Sequence, residues 1–124
     1  MNGQHIYVTK GSYGRAWAIQ ILDETGSPVD LTGATGVTFS MAPRGGGARK
    51  IDDAAAVVGN GTYTLPDGSS QAFAPTDGVV IYQPVAADVD TDGAFQGLIS
   101  YILGGGSVIE PGRGYVQIHI QPTI

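Results

Sequence analysis

The chain has no cysteine, one tryptophan, two methionines and two histidines among its 124 residues. Without thiols there are no disulfide staples and no thiolate-held metals, so packing alone must carry the fold, whatever the redox compartment. Charge is sparse as well: 14% of residues are charged, and six lysines and arginines face eleven acids. A net charge of −5 with scattered cations argues against nucleic-acid binding, which draws on clustered Lys and Arg to release counterions. Arg44, Arg49 and Lys50 form the one local basic group; such a group can hold one phosphate, but a solvated loop is the simpler reading. Apolar runs are short. The stretch Val79-Val80-Ile81-Tyr82 falls far below the roughly 20 residues of a membrane-spanning helix. The first residues lack a basic n-region followed by an apolar h-region, which argues against a signal peptide.

What the chain does have is glycine, 20 residues of it, and β-branched or aromatic residues at two-residue intervals. Its length fits one domain, expected over 1–124, since single cores typically occupy roughly 100–150 residues. Alternation places successive side chains on opposite faces of a strand. His5–Thr9 reads as a first strand, and Arg15–Leu22 as a second with Trp17, Ile19 and Ile21 on one face. Asp23–Pro28 supplies turn chemistry. Thr35–Met41 is a third strand with Val37, Phe39 and Met41 inward and Thr38 and Ser40 outward, and Leu31 and Ala34 close the sandwich end before it. Pro43–Gly47 and Gly104–Gly106 read as exposed, mobile glycine tips, because such segments bury little and are costly to order.

Lys50–Val58 fits either a strand or one helical turn, as its alanines favour helix and its paired valines strand. Asn60-Gly61 reads as a tight hairpin turn and Asp67-Gly68 as another. Gly78–Gln83, Ala94–Ile102 and Tyr115–Ile120 are the later strands. The alternation in Ala94–Ile102 is imperfect, calling for burial on both faces or a bulge at Gly97. Together these features predict an all-β, immunoglobulin-like sandwich of roughly seven or eight short, mainly antiparallel strands.

Residues able to carry chemistry are few. Asp88, Asp90, Asp92 and Gly93 form a DxDxDG string, the oxygen-rich pattern of a calcium loop. Position twelve, where an EF-hand needs a bidentate glutamate, is Ile99. The string therefore reads first as an acidic strand connection, with a loop-held calcium ion as the lesser alternative and no cofactor otherwise expected. His5 and His119 lie in strands and outside any local metal-ligand string. No nucleophile elbow, GxGxxG or GxxxxGK is present, so an enzyme is not expected. An enzymatic reading needs His5 or His119 to meet an Asp and a hydroxyl in one cleft. Trp17 and Phe39 read as core, although exposed aromatics on one face would suit a carbohydrate-binding module. Tyr13, Arg44 and Tyr115 are the candidate protein-interface residues, the tyrosines because a rigid ring and a hydroxyl serve apolar and polar contacts together.

The order of KGSYGRAWAIQI, DETGSPVDLTGATGVTFSM, GVVIYQP, DVDTDGAFQGLISYI and GYVQIHI resembles the immunoglobulin-like N-terminal domain of tailed-phage baseplate upper proteins and related tail and neck domains. The likeness spans most of the chain, while Ala54–Asp77 is longer and richer in glycine than in the simplest members. The resemblance implies a virion component, assembled in the host cytoplasm, that docks onto other phage proteins as one copy of a symmetric homo-oligomer. It binds neither nucleic acid nor membrane in that picture. Asp30, Leu31, Gly33 and Ala34 match the family's step into the third strand, and Asp92, Gly93 and Phe95 its step into the penultimate region. By the resemblance Asp30, Gly33, Asp92 and Gly93 define turns of the fold and have no catalytic part. A head-decoration protein is a further possibility within the same class.

Overall fold

A computed structural model describes residues 5–23, 25–104, 106–110 and 116–122, with backbone alone for 107–110. Its strands are β1 (His5–Thr9), β2 (Trp17–Gln20), β3 (Thr35–Pro43), β4 (Ile51–Ala55), β5 (Val57–Val58), β6 (Gly61–Thr64), β7 (Ser70–Phe73), β8 (Val79–Tyr82), β9 (Gly93–Leu103), β10 (Gly106–Glu110) and β11 (Val116–Gln121). Two short 3-10 turns, Pro75–Asp77 and Ala86–Val89, flank β8. The chain is all-β. The larger sheet runs β1-β11-β9-β3-β4, with β10 also on β9, and the smaller runs β2-β8-β5. Among the described pairs, β1–β11 is parallel and the rest are antiparallel. This division of strands is that of an immunoglobulin-like sandwich.

The alternation read from sequence builds the core. Trp17 and Ile19 of the small sheet, with Ile21 just past its strand, meet Val37, Phe39 and Met41 from the other, all buried. Three aromatics bridge the layers: the Trp17 and Phe39 rings meet edge to face at 6.0 Å, and Tyr82 lies 4.8 Å from Phe39. Such tilted contacts bring the positive ring edge toward a negative face. Leu31 is buried at the sandwich end.

Strand number exceeds the expected seven or eight for three reasons. Lys50–Val58 is a strand that changes sheets at Ala56, so β4 pairs with β3 and β5 with β8. The β6–β7 hairpin forms a further layer over the small sheet, where Tyr63 and Phe73 pack against Ala16, Val79 and Ile81. All four residues of β8 are consequently buried. Finally, β9 is long enough to pair with β11 along its first half and β10 along its second.

Two local readings are corrected. Asn60-Gly61 is a connector, not a hairpin turn; Gly61 opens β6 opposite Phe73, and the Tyr63 hydroxyl donates to the Asn60 carbonyl at 3.2 Å. The hairpin turn is at Asp67-Gly68, closed by Leu65 N–H to Ser69 O at 2.8 Å. At Gly97 the register is unbroken, so there is no bulge there. Gly97 is an inward position left without a side chain, and Leu98 and Ile102 point outward as part of regular alternation.

Candidate docking surface

The outer face of the large sheet is assembled from the residues that alternate away from the core. The pairings place Tyr7, His119 and Ala94 side by side, with Arg44 next in line through its N–H to Ala94 O at 3.1 Å. The adjacent row is His5, Gln117, Gln96 and Ala42. Beside it, Ser40, Met41, Ala42, Arg49, Gln96, Gly97 and Leu98 line a shallow depression of about 410 Å³. Arg44 thus continues the β3 ladder and adds an exposed cation to the row.

At one border of this face, His5 Nδ1 and His119 Nε2 are 3.0 Å apart, and the Tyr7 ring lies parallel to His119 with centroids 4.7 Å apart. Tyr7 is 56% exposed. Burial, followed by the neighbouring His5 and Arg44 charges, holds His119 below the ordinary histidine value; each cause disfavours the charged ring. Among the described residues no carboxylate acts on His119. Among the described residues the histidines converge on each other and on Tyr7. Sequence reading did not bring them together, since they are 114 positions apart. The available signal was that both occupy outward positions of the first and last strands, which this topology makes neighbours.

The opposite border is different. Phe39 pairs with Ala54 and Met41 with Ile51, so Ser40 alone faces Asp52 and Asp53. This β-bulge puts Asp53 at φ 51, a left-handed conformation that Asp tolerates better than most residues. The Asp53 N–H donates to Ser40 Oγ at 2.9 Å, and Arg49 pairs with Asp52 at 2.9 Å. Charges and a bulge are devices that keep an edge strand from accepting another chain. By contrast β1 carries no charged Asp, Glu, Lys or Arg, no proline and no bulge over its five residues.

The remaining candidates are placed as follows. Tyr13 is 47% exposed in the β1–β2 connection, and its carbonyl accepts the Gln83 side-chain N–H at 2.8 Å. Tyr115 lies outside the described residues. Asp30 Oδ1 accepts the Thr32 N–H at 2.9 Å and its hydroxyl at 2.6 Å, while Gly33 takes φ 83. Gly93 starts β9 at φ 145 beside the exposed Asp92.

The DxDxDG string is pulled apart. Asp88 is buried and accepts the Tyr82 hydroxyl, and Asp90 is paired with Lys50. Among the described residues no group of three or more His, Cys, Asp or Glu side chains is arranged to hold a metal ion. No protein-family model and no curated protein matches this chain.

Proposed function

We propose that this domain is a non-enzymatic structural component of a tailed-phage virion, in the baseplate, tail or neck, that docks to neighbouring virion proteins. The plain β1 edge, which carries no further strand among the described residues, set against the bulged and charged β4 edge, is the observation that carries the docking reading. A sheet that blunts one border and leaves the other plain can take a partner's strand on the plain side. The ordered sequence resemblance is what supports the virion context, and the all-β sandwich agrees with the fold that resemblance implies. In a closed homo-oligomer the same edge and tip would recur around the axis. The carbohydrate-binding alternative is less well supported, because Trp17 and Phe39 are core residues and Tyr7 is the one exposed Phe, Tyr or Trp ring among the described residues of the outer face.

The test is light scattering of the purified protein, alone and with candidate neighbouring virion proteins, for the natural chain and for Tyr7→Lys. A defined ring or a complex with one neighbour, lost in Tyr7→Lys while the melting temperature of the isolated domain holds, supports the reading. A monomer that ignores every neighbour, or assembly untouched by Tyr7→Lys and by shortening 43–47, overturns docking through this surface.

A further inference from the structure

The His5–His119 contact has a geometry that restricts its protonation. Its ring centroids are 5.3 Å apart with planes 14° from parallel, while the nearest nitrogens are 3.0 Å apart. That centroid separation is what two imidazoles touching edge to edge through these nitrogens would give; face-to-face stacking would not bring the nitrogens into line. One ring therefore donates an N–H and the other accepts on a lone pair. With both rings doubly protonated, two N–H groups and two positive charges would oppose each other. The same alignment disfavours a metal, since the two lone pairs point at one another and not at a shared vertex.

This contact sits where β1 is joined to the sandwich. Among the described strands β1 pairs with β11 alone, and its inward contribution is Ile6 and Val8. Its outward side is the His5, Tyr7 and His119 ring group. The groups that act on His119 by charge are His5 from β1 and Arg44 beyond β3, both cationic when protonated; Tyr7 faces it as a neutral ring, and β9 presents Ala94. Among the described residues no anionic group acts on His119 to offset a second proton.

We propose that the His5–His119 pair is a proton-operated clasp: one shared proton closes it, and a second proton loosens β1 from β11. The physical consequence is an acid-dependent uncovering of the β11 edge, independent of which protein the domain docks to. Because the folded chain favours a neutral His119, the stabilisation is present above the ordinary histidine value of 6.5 and is lost as pH falls through the lower folded value.

Amide hydrogen exchange at about pH 7.5 and about pH 5, corrected for intrinsic rates and run with a chelator, tests this. Protection in β1 should fall by roughly tenfold or more in acid relative to β3 and β9, whose exchange reports global opening. In His119→Gln the difference between β1 and those strands should no longer depend on pH. Ring-proton NMR of the natural protein gives a second readout, in which the His119 ring should take up its proton below the ordinary histidine value. The clasp is overturned if β1 protection follows β3 and β9 at both pH values, if the acid loss persists in His119→Gln, or if the His119 ring of the folded protein takes up its proton at the ordinary histidine value.

Discussion

Tyr82 donates its hydroxyl hydrogen to Asp88 Oδ2 at 2.6 Å, inside the protein, and the same oxygen accepts the Val85 N–H at 2.9 Å. One carboxylate thereby ties the end of β8 to the connection that crosses between sheets. This arrangement gives Asp88 a structural task and removes it from the acidic string. Tyr82→Phe should leave the buried carboxylate with a single donor of the two. We expect a loss of about 1–3 kcal/mol in stability, measured by urea unfolding, with no change in the slope of the transition.

The same pair predicts an alkaline response. Burial first, then the Asp88 hydrogen bond and charge, push the Tyr82 phenol far above its ordinary value of 10.0. The unfolded chain releases this proton near pH 10 while the folded chain keeps it, so stability falls as pH rises through that ordinary value. Tyrosinate absorbance should show Tyr82 ionising only together with unfolding. Its ionisation in the still-folded protein, at the ordinary value, would remove the argument.

Two glycines should resist substitution for different reasons. A methyl on Gly97 would lie 2.7 Å from Phe39 Cε1 and 3.1 Å from Ile118 Cδ1, and one on Gly78 would lie 2.7 Å from the Val29 carbonyl oxygen at φ 70. Gly97→Ala should cost about 1–3 kcal/mol through overpacking, and Phe39→Leu should reduce the cost of adding that methyl. Gly78→Ala has no such partner, because backbone cannot be trimmed; at least about 2 kcal/mol is expected. Gly33 is the control: it also has positive φ, but a methyl there meets nothing within 4 Å. A double-mutant cycle on Gly97 and Phe39 measures the coupling.

The sandwich core was readable because strand alternation survives wherever one face is buried. Trp17-Ala18-Ile19 and Val37-Thr38-Phe39 announce their inward sides, and Asp67-Gly68 announces its turn. Gly97 was misread because an inward position filled by a neighbour's ring looks, in sequence, like an interruption. The bulge was hidden for a related reason: Asp52 and Asp53 shift the phase between Ile51 and Ala54, so no single period describes that strand. The histidine pair was out of reach of local pattern altogether. It depends on a parallel pairing between the first and last described strands, a property of topology and not of spacing.

Acid stability should draw on three short turns of one kind. Asp23 with Thr25, Asp30 with Thr32 and Asp67 with Ser69 each accept a hydroxyl and a backbone N–H from the residue two positions on. In each the neighbouring hydroxyl is the foremost cause holding the carboxyl below its ordinary value of 3.8. Folding thus favours the ionised form, and the contribution is present above 3.8 and lost as pH falls through the lower folded values. Replacing all three by Asn should flatten the melting temperature against pH in this acid window. An unchanged slope would mean that these turns do not contribute to acid unfolding.

The β4 bulge predicts a separation between stability and solubility. Asp53 holds a left-handed backbone that glycine adopts freely and a β-branched residue resists. Asp53→Val should therefore destabilise the domain by about 1–2 kcal/mol, while Asp53→Gly should stay within about 0.5 kcal/mol of the natural chain, its gained backbone freedom offsetting lost contacts with Ser40 and Arg49. Deleting Asp52 should have a different effect. With one residue opposite Ser40 in place of two, the bulge can close into regular pairing, and β4 then presents a straighter edge with one charge fewer. Because bulges and charges are what keep edges from pairing, this deletion variant should self-associate at concentrations where Asp53→Gly remains monomeric. Light scattering across a concentration series checks it, and a monomeric deletion variant with natural stability would show that the bulge does not guard this edge.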